Sequence, residues 1–326
     1  MGRSLAKRVA PLHLHARMHF PRLTIAATLV VTAGCASRPA DIPQLPSKEY
    51  ADTIDAFHRR RAIAIAGPEG WATHLGLWWL KPGVNRIGTD SSFAIPLPAS
   101  RSPRVLGDIV VAGDSSQFIA ARGVVVRVDS TRLTGPVTLH SDVDSSQTVL
   151  RAGSLVISYI TRGGGKRKAV RIKDTLHVAR ATFPGHRYFP TDTSFRVTAH
   201  FIPKDKPDSM NIIDVLGIET RMWWPGELRF RLKGRDYVLQ VIREPEDHGK
   251  QLFVMFKDST NLKETYPAMR YTYVAPPDSL GRTVLDFNQS YSPPCAFTAF
   301  ATCPLPPGGN TLPLRITAGE LRPAHH

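Results

Sequence analysis

Along most of this 326-residue chain, apolar positions alternate with polar ones in short runs broken by glycine and proline. That is the period of half-buried strands. Helical spacing is convincing in one place. After Ser47, a residue suited to capping a helix, Tyr50, Ile54 and Phe57 recur at intervals of four and three. Asp55 sits four before Arg59, and Gly67-Pro68 ends the run, so a helix is predicted over 47–67, running to about Ala66. Its Arg59-Arg60-Arg61 run is expected on a solvated face, with a membrane surface as the alternative.

Strands are predicted at 75–80, 84–88, 93–97 and 123–128. A further pair, 155–160 with 169–172, is expected to close across Gly163-Gly164-Gly165. Trp78 and Trp79 must point to opposite faces of their strand, so at most one is exposed. Beyond Pro184-Gly185, strands are predicted at 195–202, 212–219, 227–232, 236–242, 251–256, 269–274 and 283–288. Turns are expected at Trp224-Pro225-Gly226, Lys233-Gly234-Arg235 and His248-Gly249-Lys250. The pattern implies a mainly β protein with one short helix. Two β domains, 71–183 and 184–326, are expected, the second an antiparallel sandwich or partly closed barrel.

Within 284–320, Leu285 and Phe287 fall on one strand face and Asp286 and Asn288 on the other. Pro293-Pro294 stops the pairing, because proline lacks the ladder N–H, and a last strand is expected over 312–316.

The first 35 residues hold Arg3, Lys7, Arg8, Arg17 and Arg22 and no acid. An uncharged apolar run over 23–33, too short to span a bilayer as a helix, leads into Gly34-Cys35. This resembles a bacterial lipoprotein signal, with Met1 or Met18 as the start, Cys35 as the lipidated residue and 36–46 as a polar tether. The resemblance implies an exported, lipid-anchored protein, on the outer membrane facing the periplasm if the cell has one. Removing the five basic residues of the leader lowers the formal charge from +15 to +10. Outside the cytoplasm that surplus points to anionic headgroups or wall polymers, or simply to solubility, and away from nucleic acid. With Cys35 carrying lipid, Cys295 and Cys303 remain as an even pair in an oxidising compartment, and a disulfide is expected.

Motifs for a nucleophile elbow or phosphate loop are absent from the sequence, and the histidines are scattered without zinc spacing. No cofactor or metal is expected. The polar residues that stand out are Asp258, Thr260, Tyr266 and Arg270 around one turn, and Asp286, Asn288 and Tyr291 on the later strand. If the two segments are neighbours, Arg270 can pair a carboxylate and the tyrosines can wall a pocket. Two readings stay open: a module binding a small-molecule or envelope ligand, and a hydrolase using Asp286 or Asp258 with Arg270 and Tyr291. A buried hydrogen-bond network accounts for the same residues.

The pieces Tyr291-Ser292-Pro293-Pro294-Cys295-Ala296-Phe297, Cys303-Pro304-Leu305-Pro306-Pro307 and Ala318-Gly319-Glu320, with Asp286-Phe287-Asn288 and Asn310, resemble a bacterial and archaeal family filed as domain of unknown function 1684. The resemblance spans about 71–320 and implies a shared architecture without an established activity. Separately, Gly83 with Ile87-Gly88 and the 150–157 segment resemble the forkhead-associated domain, a β-sandwich that reads phosphothreonine. Thr89 stands where that family has arginine, and its Ser-x-x-His is missing around 100–103. The resemblance therefore implies the sandwich and not the phosphopeptide site.

Overall fold

A computed structural model of the chain describes residues 40–243 and 251–324. The leader, Cys35 and the turn expected at His248-Gly249-Lys250 lie outside the described residues. None of the described helices is long and apolar enough to cross a membrane.

The helix α1 (Ser47–Ala66) buries Tyr50, Ile54, Phe57, Arg61 and Ile65, a single stripe at helical spacing. Pro46 rather than Ser47 occupies the capping position, and the Gly67 N–H closes the last turn on the Ile63 carbonyl (2.8 Å). Arg61 departs from its expected solvated place. It lies between Phe57 and Ile65 on the buried stripe, and a buried arginine requires a partner.

Eleven strands follow: β1 (His74–Trp79), β2 (Gly83–Gly88), β3 (Ile95–Pro96), β4 (Val105–Ala112), β5 (Ser115–Ala120), β6 (Arg127–Val128), β7 (Thr131–Arg132), β8 (Val137–Thr138), β9 (Val149–Ala152), β10 (Leu155–Arg162) and β11 (Arg167–Asp174). They form a six-stranded sheet ordered β1-β11-β10-β9-β6-β7 and a five-stranded sheet ordered β3-β2-β4-β5-β8. Ile87, Ile109 and Phe118 from one sheet and Leu155, Ile157 and Ile172 from the other share one core. The β10–β11 hairpin closes across Gly163-Gly164-Gly165, whose φ values of 61°, 66° and 85° suit glycine. Trp78 packs against the core while Trp79 is exposed. The β4–β5 hairpin goes unpredicted, although Leu106, Ile109 and Val111 mark its buried face. Only 127–128 of the expected 123–128 strand pairs.

The third sheet is built from β12 (Arg196–Ile213), β13 (Glu219–Leu232), β14 (Arg235–Arg243), β15 (Leu252–Phe256), β16 (Arg270–Val274) and β17 (Arg282–Asp286), ordered β16-β15-β14-β13-β12-β17. Two expectations are corrected here. Trp224-Pro225-Gly226 is no turn. It lies inside β13 at a break in register against both β12 and β14, where the proline cannot donate to the ladder. The real turn is at 214–218, inside the predicted 212–219 strand. Asp214 Oδ1 accepts the Leu216 and Ile218 N–H groups (2.8 and 2.9 Å) there, and Gly217 takes φ 75°.

The expected strand at 312–316 is also absent as a strand. Lys257 N–H donates to Asn310 O, Leu312 N–H to Lys257 O and Ser259 N–H to Leu314 O, and the pairing does not extend into a ladder. Prolines 304, 306, 307 and 313 remove the donors a longer ladder needs. Asn310 holds the loop instead, its amide donating to the Gln240 and Met255 carbonyls at 2.8 Å each.

Candidate functional site

A cleft of about 1030 Å³ opens between the outer face of β10 and β11 and the third sheet with its following loops. That is at the upper end of the range for small-molecule sites. Strand alternation explains how β11 contributes: Val170 and Ile172 point into the first core, leaving Arg171 on the opposite face. Across the cleft, β15 and β16 present Phe253, Tyr271 and Tyr273. The ring centroids of Phe253 lie 4.8 Å from those of both tyrosines, in edge and stacked contacts respectively. Tyr291 meets Tyr271 edge-on at 5.8 Å, and the Tyr271 hydroxyl donates to the Pro304 carbonyl (2.5 Å). The result is a rigid aromatic wall.

The charged groups are unevenly matched. Arg162 Nη1 donates to Asp142 Oδ2 (2.7 Å) and its Nε to Thr302 Oγ1 (2.8 Å). Arg171 is 8% exposed. Its Nε donates to the Phe300 carbonyl (3.1 Å), its guanidinium lies 4.9 Å from the Trp71 ring, and its Nη2 has no acceptor among the described residues. Burial pushes Arg171 down to about 10, the Arg162 charge adding to the effect and Asp142 opposing it, so it stays cationic at neutral pH. His74 stacks on the other ring partner of this group, Trp71, with centroids 4.7 Å apart. Burial, reinforced by the Arg171 and Lys173 charges, pushes His74 down to about 3 despite its hydrogen bond with the Trp71 carbonyl. It is a neutral imidazole under ordinary conditions.

One end of the cleft is tied to α1. The Arg61 guanidinium lies 4.3 Å from the Tyr291 ring centre. Its Nε donates to Glu320 Oε2 (3.1 Å) and its Nη2 to the Ser292 carbonyl (3.0 Å). His186 Nδ1 stands 3.4 Å from the same carboxylate oxygen. Burial by itself would raise the Glu320 carboxyl, but Arg61 and His186 outweigh it and hold the group below its ordinary value.

The seven residues singled out in the sequence fall in separate places. Asp258 and Arg270 do meet, Nη1 to Oδ2 at 2.8 Å, in a fully buried ion pair. Arg270 also donates to the Ile316 carbonyl (3.0 Å) and to that of Ala318. Gly319 is required beside it, because a Cβ there would lie 2.4 Å from the Ser290 carbonyl oxygen, with φ already at 80°. Thr260 hydrogen-bonds Thr265 (3.0 Å) in the same turn. Asp286 and Asn288 form another knot. The Tyr50 hydroxyl of α1 donates to Asp286 at 3.1 Å and the Asn288 amide donates to Tyr50 at 2.9 Å. Tyr291 lines the cleft. Arg171 and Arg162 were missed, because nothing in a β-strand's sequence distinguishes an arginine on a solvent face from one facing another layer, and Trp71, on a short 3-10 turn, was missed as well.

The expected disulfide is overturned. Cys295 and Cys303 are free thiols, and the Cys295 N–H donates to the Cys303 sulfur (3.1 Å). Cys295 rides a short 3-10 turn and the Cys303 carbonyl is held by the Val215 N–H in the turn after β12, so proximity in sequence does not bring the sulfurs into bonding geometry. A hydrogen bond from Cys303, joined by one from Tyr266, lowers Cys295 against the effect of burial, while burial pushes Cys303 up. Cys303 lines the cleft. Among the described residues, no group of three or more His, Cys, Asp or Glu side chains is placed to hold a metal.

Comparison with known proteins gives a family without an activity. Residues 181–321 match the family model described as protein of unknown function, DUF1684, a shorter span than the 71–320 resemblance. A search of the curated proteins finds no match. Among solved structures, the chain is similar to the solution NMR structure of an uncharacterized protein of Haloarcula marismortui. The two are 34% identical over 45% of this chain and 81% of that one, with a TM-score of 0.38. What these comparisons support is a match of residues 181–321 to the DUF1684 family.

Proposed function

We propose that this chain is a small-molecule binding module of the cell envelope, exported and held to the membrane by lipid on Cys35, and that its ligand occupies the cleft between β10–β11 and the third sheet. One observation carries the binding reading: a cleft of about 1030 Å³ with a fixed aromatic wall on one side and polar side chains on the other. Large, mostly preformed concavities of mixed lining are where small ligands bind. The leader and the charge pattern of the sequence support the location. The shared core between the first two sheets supports reading 71–183 as a forkhead-associated-like sandwich. The antiparallel pairing of the third supports a sandwich or partly closed barrel over 184–326. The hydrolase reading has less support, since Asp258 is engaged by Arg270, and Asp286 by Tyr50 and Asn288.

The test is mass analysis of small molecules that co-purify with the wild-type protein and with Thr220→Trp, which places an indole in the cleft. A species retained by wild type and lost from the variant is expected. Identical profiles would remove the cleft from consideration.

A further inference from the structure

The cations lining the cleft are not equally compensated, and the imbalance specifies the ligand. Arg61 is matched by Glu320, Arg162 by Asp142 and Arg221 by Asp208. Among the described residues Arg171 forms no ion pair, although it is, with Arg61, the most deeply buried of the cleft cations and has a terminal nitrogen without an acceptor. The carboxylates that share the cleft are otherwise engaged or distant in role. Asp142 is held by Arg162, Asp144 accepts the Ser141 N–H (2.6 Å), Asp214 caps its turn through Oδ1 while its buried Oδ2 has no partner among the described residues, and Asp114 sits on an exposed hairpin tip. Lys166 and Lys168, from the β10–β11 hairpin, add positive charge along the same wall. A desolvated guanidinium without an ion-pair partner of its own is costly, and an arriving oxyanion relieves that cost with charge-assisted hydrogen bonds.

Resting on the reading of this cleft as a ligand site, we propose that its ligand is an organic acid. Its oxyanion head, a carboxylate or a phosphate, pairs with Arg171, while a flat apolar body lies along the Phe253–Tyr273 wall. Arg171 is suited to the role because its fork is planar and held by the Trp71 ring and the Phe300 carbonyl, so little side-chain freedom is lost on binding. Aromatic rings opposite it supply area for an apolar body, with Tyr273 the most exposed of them.

The experiment uses two fluorescent probes with one ring system, anilinonaphthalene sulfonate and the neutral N-phenylnaphthylamine. Both are titrated into the wild-type protein, Arg171→Gln, Arg171→Lys and Thr220→Trp. The sulfonate should bind wild type about tenfold or more tighter than the neutral dye, the scale of a hydrogen bond to a charged group. Arg171→Gln should lose about tenfold for the sulfonate while leaving the neutral dye unchanged, and Arg171→Lys should keep part of the preference. Displacement by benzoate and by phenyl phosphate then separates carboxylate from phosphate as the natural head group. If both dyes bind wild type equally and Thr220→Trp abolishes both, the cleft stands as a site and the acid class is refuted. If Thr220→Trp alters neither dye, the cleft reading fails and this inference with it. Should Arg171→Gln not fold, the preference of wild type between the two dyes still decides the matter.

Discussion

The Arg270–Asp258 pair allows a sharp energetic test, because both side chains are buried, at 1% and 0% exposure, and joined at 2.8 Å. Asp258→Asn keeps the size of the side chain and an oxygen able to accept the Thr260 N–H, which Asp258 Oδ1 now takes at 2.6 Å. It removes the charge facing Arg270. Burial already works against the guanidinium, and Asp258 is the main group opposing it. The carbonyls of Ile316 and Ala318 remain, but they carry dipoles and no charge. Breaking one side of a buried pair is expected to destabilise by about 3–5 kcal/mol. For a unit of this size, at about 2 °C per kcal/mol, the thermal midpoint should drop on the order of 6–10 °C. Calorimetry and urea titration measure both quantities. The double variant Asp258→Leu with Arg270→Met removes both charges and should recover most of the loss, since a buried pair replaced by apolar groups is often neutral. A single variant within about 0.5 kcal/mol of wild type would refute the reasoning and show that the two carbonyls satisfy Arg270 by themselves.

Two further outcomes follow from the same geometry. His74 is pushed down to about 3 in the folded chain against an ordinary value of 6.5. Between those limits the unfolded chain binds a proton that the folded chain refuses, so its contribution, on the order of a few kcal/mol, is complete above about pH 6.5 and is lost as the pH falls through about 3. Glu320, held low by Arg61 and His186 against burial, acts in the same direction, its contribution falling away below the ordinary glutamate range. His74 should show no NMR titration between about pH 5 and 8, and Glu320→Gln should flatten the acid limb of the stability profile. A His74 resonance titrating near its ordinary value would contradict the buried neutral ring. Cys295, partly exposed and lowered by its hydrogen bonds, should alkylate in the folded protein, while Cys303, buried and raised, should react only after unfolding. Intact mass should show both adducts in denaturant without reductant, and their absence there would argue against free thiols.

Local periodicity placed several elements that have one buried and one wet face, though not the β4–β5 hairpin. The period of Tyr50, Ile54 and Phe57, with the stop at Gly67-Pro68, placed α1, and alternation with turn glycines placed the β10–β11 hairpin. Proline chemistry was only half readable. β17 ends at Asp286, where a short 3-10 turn over 287–289 begins, ahead of Pro293-Pro294, and Pro225 sits within β13, because a register break can absorb a missing donor and a sequence does not say where a neighbouring strand shifts. What tertiary structure alone decided is which polar residues meet. Asp258 with Arg270, and Asp286 with Tyr50, are separated by 12 and 236 positions respectively. Arg61 left a run of three arginines to pair with Glu320, 259 positions away. Arg171 reads in the chain as one more basic residue on a strand. It becomes a buried cation without a direct ion-pair partner only because a second β layer closes over its face, and that closure depends on long-range packing that no local period encodes.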